Sequence, residues 1–547
     1  MIPADLGLPD TFAEFRDVQL QALQAIRESK AKVMLIQAPT GSGKSLIAAA
    51  AGKMLQMPVI YASGTKQLQD QFHDLFPSSI VLKGRSNYPT YKYGDNFPEI
   101  TAADCDKDHG ICTWCGDVYD CAYEQIKNAA LRAEYAVMNF SYMMSEFNYV
   151  GRFSDDKDES RIPHLIVLDE GDTIEHHLMA FMQVTLAIKR MMTLGITAPR
   201  FKTPNDAHKM EYWLPWIGDT IAELDKHRFA LDNKIAMMTP GGTEYAKRKR
   251  ELSWFNGIIS KLTFMQKDLA NDPAAWIRAD DLERLIFKPV YVSAYADDLL
   301  WRHGARWLVM SATILSVDQF CQDLGLNHND VEFLDLPSTF PVERRPILYL
   351  PIASMKMNER QESIPKIIRA VDEILDSAPA RVSVLIHTHT YALTQAVMKG
   401  SRHKARMMTH TNADSREQVL SDFKATEGAI LVSPSMDRGV DLPDDLCRIQ
   451  IVCQVPKPYL GDRQIATRFY AGRNGRRWYA LETIRSLCQM TGRGMRHKDD
   501  YCQTWILDSE FGRLLTESGK YIPRWWRDAV VMIGRHQIRE YAEEVTA

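Results

Sequence analysis

Residues 33–45 read VMLIQAPTGSGKS, an apolar run that breaks into a glycine-rich turn and continues as the helical pattern LIAAAAGKML. Strand, turn and helix in that order make a place for a polyphosphate. Gly41 and Gly43 let backbone N–H groups approach phosphate oxygens, and the helix N-terminus adds its dipole. Ala38, Pro39, Thr40, Gly41, Ser42 and Gly43 form the expected cradle. Lys44 is expected on the β and γ phosphates and the Ser45 hydroxyl on Mg²⁺. The strict pattern opens with glycine, whereas Ala38 stands first here.

Hydrolysis of a nucleoside triphosphate also needs carboxylates, and HLIVLDEGD at 164–172 supplies them at the end of an apolar run. The run reads as a buried parallel strand, whose C-terminal end is where open α/β sheets place their ligands. Asp169 is expected on Mg²⁺, and Glu170 is expected to polarise the attacking water. Arg493 and Arg496, three apart in QMTGRGMR at 489–496, can share one helix face. Planar guanidinium groups there could stabilise charge developing on the transferred phosphoryl. The plainer alternative is a basic helix face in solvent. ATP and Mg²⁺ are the expected cofactors.

Four of nine cysteines fall close together, Cys105, Cys112, Cys115 and Cys121, with six, two and five residues between them. Four thiolates suit either a 4Fe–4S cluster or tetrahedral zinc, and the spacing does not choose. A metal-free remnant is the third reading. The scattered Cys321, Cys447, Cys453, Cys488 and Cys502 read as buried bystanders.

A chain of 547 residues needs several cores to position these groups, roughly three to four at about 150 residues each. Its net charge of −4 excludes a protein that coats nucleic acid by bulk electrostatics. Any such contact must be local. No apolar run approaches the roughly 20 residues of a membrane helix, and no signal peptide is seen, so a cytoplasmic protein without membrane contact is expected. RVSVLIHTHT and GAILVSPS alternate with helical stretches, the order of a parallel sheet. The strand ends at His387 to Tyr391 and Ser433 to Met436 are expected to line a groove whose backbone N–H groups and short polar side chains would bind the phosphates of a nucleic acid, if the chain meets one, without reading sequence. Between about 180 and 300 helical periods dominate. The run KRKR at 247–250 is flanked by Glu244 and Glu251 and reads as a solvated face. His176 and His177 diverge on a helix, which suits a surface or interface role better than a metal site.

The motifs FRDVQ, YASGTKQLQDQF, KGRSNY, DEGD, MSAT, MDRGVDL and QMTGRGMR stand in the order of superfamily 2 helicase motifs. In detail they resemble the XPD/DinG family of iron–sulfur helicases, and LPSTFPVERRPI at 336–347 is similar to that family's passage between motor halves. The resemblance implies an α/β protein with two RecA-like parallel-sheet motor domains. The first takes residues 1–85, 130–180 and 300–344, and the second 345–547. A Cys-rich iron–sulfur insertion at 86–129 and a helical Arch insertion at 181–299 interrupt the first. No nuclease segment is expected ahead of the motor.

The same resemblance implies an ATP-dependent helicase moving 5′ to 3′ on single-stranded DNA, opening forks and working as a monomer. A translocase or RNA-directed ATPase, and a nucleotide-dependent scaffold, are the alternatives. By likeness, Arg16 and Gln19 reach the nucleotide, and Ser311 and Thr313 couple hydrolysis to movement. Gln489 joins Arg493 and Arg496, opposite Gly439 and Asp441. Lys83, Arg85 and Tyr88 are candidates for touching the strand. Two departures stand out. DEAH is replaced by DEGD, so Asp172 can accept hydrogen bonds from Gln489 or an arginine but cannot donate as histidine does. Thr90 stands where the family has its first cluster cysteine, and Cys105 is expected to replace it in a 4Fe–4S site.

Overall fold

Strands of Val, Ile and Leu without polar alternation are expected to be buried on both faces, as parallel sheets are. Val33–Gln37 and Leu165–Asp169 are buried at every position. They belong to the first of two seven-stranded parallel sheets among the described residues of this computed structural model. Those residues are 1–92, 97–105, 107–108, 111–112, 121–155, 162–239, 241–410, 416–434, 442, 444–492, 494–495 and 499–546, with 107–108, 111–112, 444 and 546 described in backbone alone.

The first sheet runs, from edge to edge, Val331–Asp335, Val33–Gln37, Arg306–Ser311, Leu165–Asp169, Val59–Ser63, Tyr135–Asn139 and Ile80–Val81. Its register brings strand ends into one row: Gln37 lies opposite Ser311, Met310 opposite Asp169, and Asp169 opposite Ser63. The second sheet runs Met407–Met408, Ile430–Ser433, Val384–His387, Ile449–Val452, Gln503–Asp508, Ile347–Ala353 and Val530–Met532, again parallel throughout. Two parallel α/β layers match the expected pair of RecA-like domains.

Between the strands Leu165–Asp169 and Arg306–Ser311 the chain builds a separate unit. Helices Leu214–Ala236 and Thr243–Asn271 pack on each other. Beside them lies an antiparallel sheet of Val184–Ala187, Arg284–Pro289 and Trp276–Ala279. The sheet is a departure from the helical expectation for 181–299. Its strands are too short to stand out among long helical periods, although Arg284–Pro289 alternates in burial as a one-sided strand should. Trp213 and Trp276 fill the space between helices and sheet.

The basic run 247–250 behaves in two ways. Arg248 pairs along its own helix with Glu244 and Glu251, as a solvated face would. Arg250 does not. It forks onto buried Asp104, Nε to Oδ1 at 2.6 Å and the terminal nitrogen to Oδ2 at 2.7 Å, and donates to the Glu99 carbonyl at 2.6 Å. With Thr243 donating to Glu99 at 2.6 Å, this helix clamps the segment that carries Cys105. No helix among the described residues is long and apolar enough to cross a membrane.

Candidate nucleotide site between the two halves

The phosphate loop follows Val33–Gln37 and ends in the helix Lys44–Leu55, as read from the sequence. Gly41 and Gly43 have φ of +83° and +79°, a region open to glycine and costly for other residues. Both are also crowded. A Cβ on Gly41 would lie 2.1 Å from the Phe340 ring, and one on Gly43 would lie 2.3 Å from Gln19 Nε2. Phe340 comes from the passage between halves, so that passage covers the loop.

Arg16 and Gln19 reach the loop through its backbone. Arg16 donates to the Gly41 carbonyl and Gln19 to the Ser42 carbonyl at 3.0 Å. They do not share a helix face, because Arg16 is the residue before the helix Asp17–Glu28 and its own N–H donates to Gln19 Oε1 at 2.9 Å. Lys44 forms no ion pair among the described residues, leaving its ammonium available to an anion.

Asp169 sits at the end of its strand, 3% exposed, with Oδ2 accepting from the Tyr61 hydroxyl at 2.5 Å. Burial, followed by the Asp169 charge, raises the Tyr61 pKa well above its usual value, so the phenol stays protonated and donates. The neighbouring Ser45 hydroxyl acts on this phenol in the opposite, lowering sense. Sequence reasoning missed Tyr61. The available signal was a polar tip in the strand VIYAS beside the acidic strand, where Tyr61 stands opposite Val167 on the side of Asp169.

Glu170 leaves the strand with φ of +55°, held there by Thr173, whose N–H and hydroxyl both donate to the Glu170 carbonyl at 3.0 and 2.8 Å. Gly171 explains one departure from DEAH. A Cβ there would lie 2.4 Å from Val309 Cγ1, so the branch of Val309 fills the space an alanine would need. The Asp172 carboxylate is buried, accepts from Ser311 at 2.7 Å and Thr313 at 2.8 Å, and forms an ion pair with Arg485, whose Nε lies 3.3 Å from Oδ2. Of the two partners expected, the arginine is present, and Gln489 turns to other groups. Gln489 Nε2 lies 3.2 Å from Thr313 Oγ1 and 3.4 Å from Glu170 Oε2.

Gln489 and Arg485 stand on the helix Arg473–Thr491 of the second half, so these contacts cross between the sheets. Arg485 also pairs with Glu482, which takes His176 Nε2 at 3.1 Å. Burial works against a charged His176, but the Glu482 carboxylate prevails and raises its pKa. His176 is therefore the interface residue expected. Farther along, Arg468 pairs with Glu175 and Asp323, and Arg477 donates to Gln319 at 2.7 Å and Gln322 at 3.1 Å. Gly492 closes over the loop, where a Cβ would lie 3.6 Å from Thr40 Oγ1.

Arg493, Arg496, Gly439, Asp441 and Cys115, as well as Ser435 and Met436, lie outside the described residues. His387 is buried and pairs with Gln450 at 3.1 Å, so it does not face outward as expected; His389 to Tyr391 remain at that strand end. Tyr88 accepts from the Lys83 N–H at 3.0 Å, and Arg85 donates to the Cys105 carbonyl at 3.2 Å. These two side chains brace the approach to the cysteines. Cys105 and Cys121 are buried in one apolar cluster, and between them in the sequence 107–108 pairs antiparallel with 111–112. No group of three or more metal-ligating side chains occurs among the described residues, where Cys112 is described in backbone alone. The five scattered cysteines are all buried, as expected.

Family models match in two places: residues 12–202 fit the type III restriction enzyme res subunit, and residues 371–529 a helicase C-terminal domain. The ATP-dependent DNA helicase CHL1 of Yarrowia lipolytica is 27% identical over 153 residues, 23% of this chain and 19% of its own length. CHL1 of Debaryomyces hansenii is 22% identical over 190 residues, 29% of this chain and 23% of its length. The matched part thus spans about a fifth of these relatives. Among solved structures, an XPD helicase superposes over 95% of this chain and 100% of its own with TM-score 0.60 at 17% identity. Xpd4 of S. tokodaii does so over the same shares with TM-score 0.56 at 13% identity.

Proposed function

We propose that the chain is an XPD/DinG-like superfamily 2 helicase, an ATP-driven motor moving 5′ to 3′ on single-stranded DNA and opening forked duplexes. One observation carries the coupling. Gln489 of the second half lies within 3.4 Å of both Glu170 and Thr313 of the first. A water-polarising carboxylate touched from across the cleft cannot change its charge environment without the halves sensing it. In this reading Lys44 and the loop 38–43 bind the phosphates, Ser45 and Asp169 hold Mg²⁺, and Glu170 orients water. Arg493 and Arg496 meet the transferred phosphoryl, with Gly439 and Asp441 on the nucleotide's other side.

DNA is favoured over RNA by the relatives' names, ATP-dependent DNA helicases. The test is ATP turnover with single-stranded DNA, with RNA and with neither, followed by forks carrying a 5′ or a 3′ overhang. Stimulation by DNA and opening of 5′-tailed forks is expected. Opening of 3′-tailed forks alone would reverse the direction, and stimulation by RNA alone would replace the substrate.

Cys105, Cys112, Cys115 and Cys121 would hold a 4Fe–4S cluster. Cys105 and Cys121 are each buried, and Cys112 and Cys115 lie between them in the sequence; four thiolates are a donor set suited to the group. When bound, the cluster pins a segment too short to build its own core. Arg250 fixes the chain just before Cys105, at Asp104 and Glu99, and Arg85 holds the Cys105 carbonyl. Anaerobically purified protein is expected to be brown, with absorption at about 400 nm and about four irons per chain. Colourless protein with stoichiometric zinc would overturn the cluster.

A further inference from the structure

We propose that the segment Tyr459–Arg476 of the second motor half is a stacking station for the bases of a single strand, placed where that half meets the inserted unit. This rests on the reading of the protein as a motor on nucleic acid and names a contact that the motifs do not include.

Tyr459 is 71% exposed and Tyr470 74% exposed, unusual for large aromatics on a chain whose other rings mostly fill cores. They belong to one surface. The Tyr479 hydroxyl donates to the Pro458 carbonyl at 2.9 Å, the Tyr479 ring meets Phe469 at 4.8 Å, and Phe469 meets Tyr470 at 5.1 Å. The Tyr459 ring is seated over its own turn, since a Cβ on Gly461 would lie 2.2 Å from it. Both rings are thus held by the fold with a face left to solvent.

Cations share the segment with them. Arg463, Thr467 and Tyr470 follow one another at helical spacing along Arg463–Tyr470, and Arg473 and Arg476 open the next helix. None of Arg463, Arg473 and Arg476 has a carboxylate within ion-pair distance among the described residues, whereas the buried Arg468 of the same stretch has two. On a chain with net charge −4, three unpaired arginines beside two exposed rings are a local anion-binding feature rather than a general basic surface. Aromatic faces with backbone-tracking cations are how single strands are held without reading sequence. A purely apolar protein partner would not call for the arginines, and duplex DNA would not offer its base faces.

The placement fits a strand path. His389, at the sheet end expected to face nucleic acid, bonds to the Lys457 carbonyl at 2.9 Å, so the Tyr459 turn is beside it. On the other side Asp462 pairs with Lys288 at 2.8 Å and Gln464 donates to the Val290 carbonyl at 2.9 Å, both on the inserted unit. A strand crossing the sheet end would pass the tyrosines as it approaches the insertion.

The experiment uses the full chain and a 20-nucleotide single strand bearing 2-aminopurine, with affinity and fluorescence read over a salt series. Tyr459→Ala and Tyr470→Ala are each expected to weaken binding about tenfold and to relieve quenching of the probe, while the Phe variants retain both. Arg473→Ala with Arg476→Ala is expected to lower the salt slope by about 1.4. Melting curves matching the parent exclude misfolding. If the parent binds the strand and the alanine variants bind and quench equally well, the station is wrong and the motor reading stands. If the parent binds no strand at all, the motor reading itself fails.

Discussion

Glu170→Gln is expected to bind ATP as the parent does and to turn it over about 10²- to 10⁴-fold more slowly, the range a positioned general base contributes. The substitution keeps shape and hydrogen-bond reach while removing the charge that polarises water. The local backbone makes this a clean test. Glu170 sits at φ of +55°, a conformation costing of order 1–3 kcal/mol for a residue with a side chain. Two hydrogen bonds from Thr173 to its carbonyl and one from its own N–H to Asp169 Oδ1 at 3.1 Å hold it there, and none involves the Glu170 side chain. Glutamine inherits that geometry. Gln489 can still donate to the amide oxygen, so closure of the halves persists with ATP bound. Binding of a fluorescent ATP analogue and single-turnover hydrolysis separate the two effects. Unchanged hydrolysis in Glu170→Gln would remove Glu170 from the reaction and leave Asp169 to act alone.

That experiment tests a residue visible in the sequence, and visibility follows from locality. The phosphate loop is a strand, a turn and a helix within about twenty residues, and its glycines are required by backbone angles that the sequence alone suggests. Asp169 and Glu170 are visible for the same reason, at the end of an apolar strand, whereas Ser311 and Thr313, also at a strand end, stand out only through the family likeness. The groups that escaped notice act over distance. Tyr61 reaches Asp169 across 108 residues, Arg250 reaches Asp104 across 146, and Arg468 reaches Glu175 across 293. No periodicity links such partners. The run 247–250 shows the limit within a single motif. Arg248 pairs within its helix as its flanking glutamates suggest, whereas Arg250, two residues on, faces a loop whose position depends on the whole fold. DEGD shows another limit. The loss of histidine is plain in the sequence, but its accommodation by Val309 beside Gly171 and by Arg485 beside Asp172 appears only when the two sheets are assembled.

Arg468→Ala is expected to destabilise the contact between halves by about 3–5 kcal/mol, because it strips a buried cation from two carboxylates. Arg468 is 2% exposed, pairs with Glu175, lies 2.7 Å from Asp323, and stacks over Trp478 with its guanidinium carbon 3.9 Å from the ring centroid. Tyr291 of the inserted unit lies 5.2 Å away, so one side chain ties three parts of the chain. Burial and the neighbouring Glu175 already raise the Asp323 pKa, against the pull of Arg468. Removing the arginine raises it further. A carboxyl whose folded pKa lies above its unfolded value binds its proton more tightly when folded. Its unfavourable effect is therefore absent below the unfolded pKa and grows as pH rises through the folded value. The deficit of Arg468→Ala should accordingly be smaller at pH 5 than at pH 8, which urea titration followed by tryptophan fluorescence would read. Arg468→Lys should fall between, keeping the charge but losing the planar fork and the stacking. The triple replacement Arg468→Met, Glu175→Gln and Asp323→Asn should recover most of the loss, since the cost arises from uncompensated charge and not from missing volume. If the alanine variant lost stability equally at both pH values and the triple replacement recovered none of it, packing on Trp478 and Tyr291 would be the dominant role of Arg468. The ionic junction would then contribute little to holding the halves together.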